Sequence, residues 1–143
     1  MKNVLLIVNQ LHGGGAQKVL SNLSLELYSH YNITFVIYND INKIVFPYKG
    51  DLVRIQLPFS TDTSANPFHA RLIRFIMLVH KLRRLKKARK IDISISFMEA
   101  SNIVNILSGK RDKQILSVRS YLTNEFNDHK RMNVLKTIIR RLY

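Results

Sequence analysis

The chain has 143 residues, enough for one domain with a real core, and its 46% hydrophobic and 22% charged residues exclude a chain too polar to fold. It has no cysteine, which excludes disulfides and thiolate-metal sites, and no run of about 18 apolar residues that could span a bilayer as a helix. The net charge of +14 is localised: residues 67–90 hold nine Lys/Arg and no acid, against five and four in 1–66 and nine and five in 91–143, so an anionic partner at one segment is expected.

Asn3 to Val8 is a continuous apolar run that stops at Gly13-Gly14-Gly15, the pattern of a parallel strand covered on both faces. It has no small-residue cleavage site, so it does not read as a signal peptide. From Ala16 to Tyr28, Val19, Leu20, Leu23 and Leu27 recur at helical spacing. Ile33 to Tyr38 is a second strand closed by Asn39-Asp40, completing a βαβ unit with a right-handed crossover. Leu52 to Leu57 predicts a third strand, after a turn around Pro47 and Gly50. Residues 58–67 hold two prolines among Ser, Thr, Asp and Asn and predict a loop. A long helix is expected over 67–89, with Pro67 in its first turn and Asn66 as its cap. Ile91 to Phe97 (IDISISF) is strand four, Ala100 to Leu107 a short helix ending near Gly109, and Gln114 to Val118 strand five. The rest is helical from about His129. The final KTIIRRLY has no stop signal, so the natural chain is expected to continue past Tyr143, with a frayed terminal helix as the plain alternative. Alternating strands and helices predict a single α/β domain over 1–143, an open, mostly parallel sheet with helices on both faces.

On the long helix, Leu72, Phe75, Ile76, Val79 and Leu82 form one stripe at about 100° per residue, expected to pack on the sheet. Arg74, Lys81 and Arg84 fall within roughly 80° of one another on the opposite side, bordered by Ile73 and Met77. This basic face has two readings, contact with an anionic bilayer or a lipid-linked pyrophosphate, and simple solvation. A basic nucleic-acid-binding α/β domain is an alternative, because clustered cations also suit a phosphate backbone. No helix-turn-helix, zinc-finger or RNA-recognition signature appears, and no aromatic residues interleave with the basic run, so nucleic acid is not the expected partner.

Gly13-Gly14-Gly15 lies at a strand's carboxyl end and opens a helix, the place where open α/β sheets bind ligands and where helix-start amides meet phosphate. Gly13 and Gly15 fit the first two positions of G-x-G-x-x-G, with Lys18 at the third and Asp40 near the ribose-binding position, so a small NAD-binding domain is a second alternative. A tight turn with no ligand is the plain reading. The P-loop pattern is absent, since no G-K-[ST] follows, and the five histidines show no metal-ligand spacing.

Three stretches resemble glycosyltransferase family 4. HGGGAQKVLSNLSLEL (His12 to Leu27) is similar to the segment G-G-A-E-[RK]-V-L-x-N-L that opens these enzymes. IDISISFMEASNIVNIL resembles the family's D-[VI]-x-[IV]-S-F-x-x-x-x-N-[IV] fourth strand and helix, and QILSVRSYLTNEF its [IV]-x-S-x-R-N fifth strand and loop. The chain departs from the pattern with Gln17 in place of the usual Glu and Ser120 in place of Asn. The family's donor-binding half is missing, and Glu26, Glu99 and Glu125, the only glutamates here, do not form its pair eight positions apart.

The resemblance implies the amino-terminal, acceptor-side Rossmann-like domain of a GT-B enzyme, with the nucleotide-sugar held mainly by the absent carboxyl-terminal domain. Transfer would be retaining and metal-independent, with helix dipoles and basic side chains stabilising the leaving diphosphate. The implied substrates are a UDP- or GDP-linked sugar and a lipid-linked or glycan acceptor of cell-surface polysaccharide or lipopolysaccharide assembly; no other cofactor is implied. By position, Gly13, Gly14, Gly15, Gln17 and Arg119 would face the donor phosphate, while Glu99 and Asn102 would line the acceptor pocket, Glu99 being the candidate catalytic group. Glu99 also reads as a first-turn acid stabilised by the helix dipole, and Arg119 as a surface ion-pair partner. With Arg74, Lys81 and Arg84 toward the membrane, a cytoplasmic enzyme bound peripherally to the membrane's inner face is expected. Alone, this segment is expected to be inactive.

Overall fold

A computed structural model describes residues 1–38, 44–58, 67–109 and 111–118. Its strands are β1 (Asn3–Val8), β2 (Asn32–Ile37), β3 (Asp51–Arg54), β4 (Ile93–Phe97) and β5 (Lys113–Ser117), and its helices are α1 (Gly15–Leu27), α2 (Phe68–Ala88) and α3 (Glu99–Ser108). The strands form one sheet in the order β3-β2-β1-β4-β5, and every pairing is parallel. This is the open α/β architecture expected from the alternating pattern, Rossmann-like in its strand order.

β1 sits at the centre, which is why its sequence is apolar without interruption. Val4, Leu6 and Val8 point to one face and pack with Leu20 of α1, with Val19, Leu23 and Leu27 against the edge of that cluster. Leu5 and Ile7 point to the other, where they meet Leu78 and Leu82 of α2 and Val104 of α3. Helices therefore cover both faces, and the strand's two-residue period divides its side chains between two cores.

β4 has the alternation of a half-exposed strand and yet is buried. Ile95 and Phe97 join the α1 core, while Ser94 and Ser96, both fully enclosed, turn toward α3. α3 answers with its own polar face. Ser96 Oγ donates to Asn102 Oδ1 at 2.7 Å and accepts from Asn105 Nδ2 at 3.1 Å; Ser94 Oγ lies 2.8 Å from Asn105 Oδ1. Small hydroxyls let the helix lie close, and each buried polar group finds a partner.

The structure corrects the sequence reading of these elements in three places. β3 ends at Arg54, short of Leu57, with one further sheet bond from Ile55 N–H to Ile37 O. Beyond it, cations of α2 take up the backbone carbonyls: Lys81 Nζ donates to Gln56 O at 2.6 Å and an Arg74 guanidinium N–H to Pro58 O at 3.1 Å. The second correction concerns the buried stripe of α2. Leu72 and Ile76 are 47% and 57% exposed, while Ala70, Leu78, Leu82 and Lys86 are buried, with Phe75, Val79 and Leu85 partly so. α2 is apolar around most of its first half, so periodicity alone could not choose the face. Pro67 is the N-cap of α2 and not its first helical residue. Asn39-Asp40, Asn66 and the helix expected from His129 lie outside the described residues.

Candidate functional site at the carboxyl end of the sheet

β1 leads to β2 on one side of the sheet, while β4 pairs on the other, so the direction of winding changes between β1 and β4. The carboxyl ends of these two neighbours define the crevice where ligands of such sheets bind. Two helix starts flank it, that of α1 behind the glycines and that of α3 behind Met98.

Gly13, Gly14 and Gly15 are all exposed. Gly14 has φ +100°, and a Cβ there would lie 2.5 Å from Gln17 Oε1, so a side chain would be strained and would have to displace the Gln17 amide. At Gly13 and Gly15 a Cβ would meet nothing within 4 Å, so the outer side of the turn is open. α1 has neither a side-chain cap nor an acid in its first turn. Its first amides thus keep their donors and the positive end of the helix dipole for an incoming anion. Gln17 is buried beneath the turn, with its Nε2 directed at Met98 Sδ at 3.9 Å, and so ties the loop after β1 to the loop after β4.

Met98 was not singled out from sequence. Its φ of 75° and ψ of 146° match the backbone of Gly14, at φ 100° and ψ 151°. For a residue with a side chain this costs on the order of 1–3 kcal/mol and persists only where the surroundings impose it. Glu99 follows as the first residue of α3, half-buried, in the acidic first-turn position. Asn102, expected in the acceptor pocket, is instead fully enclosed. It accepts from Ser96 and donates from Nδ2 to Ser117 O at 3.2 Å, joining α3 to β4 and β5. Its reach to Ser117 explains the enclosure, because the amide spans the space between two strands. Arg119 lies outside the described residues.

The three cationic residues expected on one face of α2 are in different situations. Arg74 and Lys81 hold the segment after β3 through the two carbonyls described above, and Arg84 is exposed. Lys81 and Arg84 line a groove of about 470 Å³ against Val53–Gln56. On the outward side of the same helix stand the exposed apolar residues Phe68, Leu72, Ile73 and Ile76.

Among the described residues, three titrating groups depart from their ordinary behaviour, all on the α2–α3 side. Burial raises the pKa of Tyr38, against a hydrogen bond with Ser101 Oγ at 2.8 Å that lowers it. Burial draws the Lys86 ammonium down, opposed by Asp112 at 2.8 Å. For Asp112, burial acts upward, but Lys86 and the Ser94 hydroxyl together hold the carboxyl below its usual range. No cluster of three or more metal-ligating His, Cys, Asp or Glu occurs among the described residues.

No protein-family model matches this chain, and no curated protein matches it. Its functional reading therefore stands on the site itself: exposed helix-start amides, a strained neighbouring turn, and a bridging glutamine between them. Such an arrangement can bind a phosphate or another compact anion and orient it across the sheet's end.

Proposed function

We propose that this chain is the acceptor-side half of a retaining, metal-independent glycosyltransferase, a hexosyltransferase of the GT-B kind that moves a sugar from a nucleotide-sugar to a lipid-linked or polysaccharide acceptor. The observation that carries this reading is the open glycine turn beside the end of β4, at the point where winding reverses. In this reading the amides of Gly14 and Gly15 stabilise the charge that develops on the departing diphosphate, which is where fixed dipoles act most strongly. Glu99 meets an acceptor hydroxyl, and the sequence resemblance alone assigns Arg119 to the donor phosphate. A second α/β lobe brings the nucleotide-sugar, so this segment alone turns over no substrate.

The membrane contact belongs to the same proposal, in the cytoplasm at the inner leaflet, where surface-glycan intermediates are anchored. Arg84 lies within about 20° of Ile73 and about 80° of Ile76 around the helix axis, and all three are exposed. Apolar groups beside a cation suit the headgroup region of an anionic bilayer. No helix among the described residues is long and apolar enough to cross the membrane.

UDP and GDP titrated into the 143-residue chain, followed by backbone amide resonances, test the site. The expected shifts centre on residues 13–17 and 98–99, and Gly15→Leu is expected to abolish them in a chain that still folds, because Gly15 faces open space. Shifts elsewhere, or transfer by this segment alone, refute the proposal. NADH serves as the competing ligand, since the same strand order and first two glycines suit a dinucleotide. Saturable NADH binding at the turn, with no response to UDP or GDP, selects that reading instead.

A further inference from the structure

At the opposite, amino end of the sheet, the last turns of α2 and α3 and the start of β5 enclose a cavity of about 620 Å³. Its volume falls in the roughly 300–1,000 Å³ range of small-ligand sites. Among the described residues, the lining holds five cations against two carboxylates, a net of +3, and no aromatic residue. We infer that this cavity is a second anion site, built for a compact group carrying two or more negative charges, a phosphomonoester or diphosphate. The inference does not rest on sugar transfer.

Both carboxylates are turned to internal work. Asp112 is paired with buried Lys86 and accepts from Ser94. Asp92 Oδ2 accepts from the backbone N–H of Asn3 at 2.7 Å. The remaining cations, Arg83, Lys87, Lys90 and Arg111, are exposed at the rim, and none has a carboxylate partner among the described residues. Arg83 is positioned by its bond to Leu107 O at 2.7 Å, which directs the guanidinium across the end of α3. Four like charges around one concavity focus field on its interior and raise the local concentration of anions.

A helix carboxyl end opposes an anion, and α2 ends here. Three of its last four carbonyls are already occupied: Ile91 N–H donates to Lys86 O at 3.0 Å, Lys90 N–H to Lys87 O at 3.3 Å and Arg89 N–H to Leu85 O at 2.9 Å. That pattern closes the helix as a Schellman motif, with Lys90 at φ +48° in the position that usually takes glycine. The carbonyls of Leu85, Lys86 and Lys87 are therefore turned into the cap, and the cavity is lined by cationic side chains. With no aromatic side chain among the described lining residues to stack a base or a sugar ring, the cavity reads phosphate alone.

Isothermal titration of the 143-residue chain with pyrophosphate at constant ionic strength, with amide shifts recorded in parallel, tests this. Saturable one-to-one binding with shifts at Lys90, Ser108 and Asp112 is expected. The double variant Lys87→Glu/Arg111→Glu is expected to weaken binding at least tenfold. Lys90→Gly removes a rim cation while relieving its backbone, so it is expected to weaken binding with a melting temperature at or above that of the parent. Sedimentation with phosphatidylglycerol and phosphatidylcholine vesicles identifies the source. Loss of phosphatidylglycerol binding in the same variants assigns the anion to a lipid headgroup, and pyrophosphate binding without vesicle binding assigns it to a soluble phosphate ester. Unsaturable titration, unchanged affinity in the variants, or shifts confined to residues 13–17 would overturn the inference.

Discussion

Removing the carboxylate of Asp112 isolates the most heavily buried charge in the described structure. The Lys86 and Asp112 side chains are 6% and 4% exposed, and their charged atoms are 2.8 Å apart. Breaking such a pair costs about 3–5 kcal/mol, because the surviving charge stays buried without its counter-ion. Lys86 would keep three acceptors: Asn105 Oδ1 at 2.6 Å, Asn105 O at 3.2 Å and Ser94 Oγ at 3.3 Å. These dipoles soften the loss, so Asp112→Ala is expected to cost about 3 kcal/mol, a large share of the roughly 5–15 kcal/mol that holds a domain together. Lys86→Met leaves a carboxyl that can protonate and still meet Ser94, and should cost about 2 kcal/mol. The double variant should lose less than the sum, with a coupling on the order of 2 kcal/mol. Urea unfolding followed by circular dichroism at neutral pH reads all three, provided that the slope with denaturant stays constant. A loss below about 1 kcal/mol for Asp112→Ala, or strictly additive costs, would show that the pair is solvated and refute the reasoning.

The glycine turn yields a paired test by thermal melting. Gly14→Ala combines a positive φ with a 2.5 Å approach to Gln17 Oε1 and should cost on the order of 1–3 kcal/mol, whereas Gly15→Ala meets open space and should be neutral or stabilising by up to about 1 kcal/mol. Equal effects would mean that Gly14 neither holds a positive φ nor meets Gln17. The pH dependence has two limbs. Asp112 has a lowered pKa, so its contribution is present above the ordinary carboxyl value of about 3.9 and is lost as pH falls through its lower folded value; Asp112→Asn should flatten the acid limb of a stability profile. Tyr38 has a raised pKa, so its contribution holds below about 10 and is lost as pH rises through the folded value. Tyr38→Phe should therefore flatten the alkaline limb, where Lys86, with its lowered value, works in the opposite direction. An unchanged alkaline limb in Tyr38→Phe would place its hydroxyl in water.

Elements with one dominant signal were legible in the sequence. β1 and the residues of α1 that pack on it could be read directly, because a doubly covered strand leaves an unbroken apolar run and α1 has one apolar side. β4 was legible as a strand but not as a buried one, since IDISISF carries the alternation of a surface strand. The signal that resolves it is non-local: Ser94 and Ser96, two apart, face Asn102 and Asn105, three apart, so a strand period meets a helix period polar to polar. Lys86 shows the same limit. Nothing in KLRRLKKARK distinguishes it from its neighbours, and the groups that make its burial tolerable, Asp112 ahead of β5 with Ser94 and Asn105, are distant in sequence. At the carboxyl end of the sheet the glycines announced the open turn, but no residue type announces the strained backbone of Met98.

The two ends of the sheet handle negative charge by different physics, and this separates their chemistry. At the carboxyl end the described groups facing the crevice are mostly fixed dipoles, backbone amides behind Gly14 with one half-buried carboxylate at Glu99 nearby. Dipoles of this kind need no reorganisation and favour an anion whose charge grows during a reaction. At the amino end the positive charge is carried by long, exposed side chains over a neutralised pair. Flexible cations lose rotamer freedom when they close on a ligand and are screened by salt, so they suit reversible capture better than transition-state stabilisation. Raising salt at constant pH should therefore weaken pyrophosphate binding at the amino-end cavity far more than nucleotide binding at the glycine turn. Competition titrations at low and high potassium chloride measure this difference, and equal sensitivity at both ends would show that a single diffuse field, and not two built sites, attracts the anions.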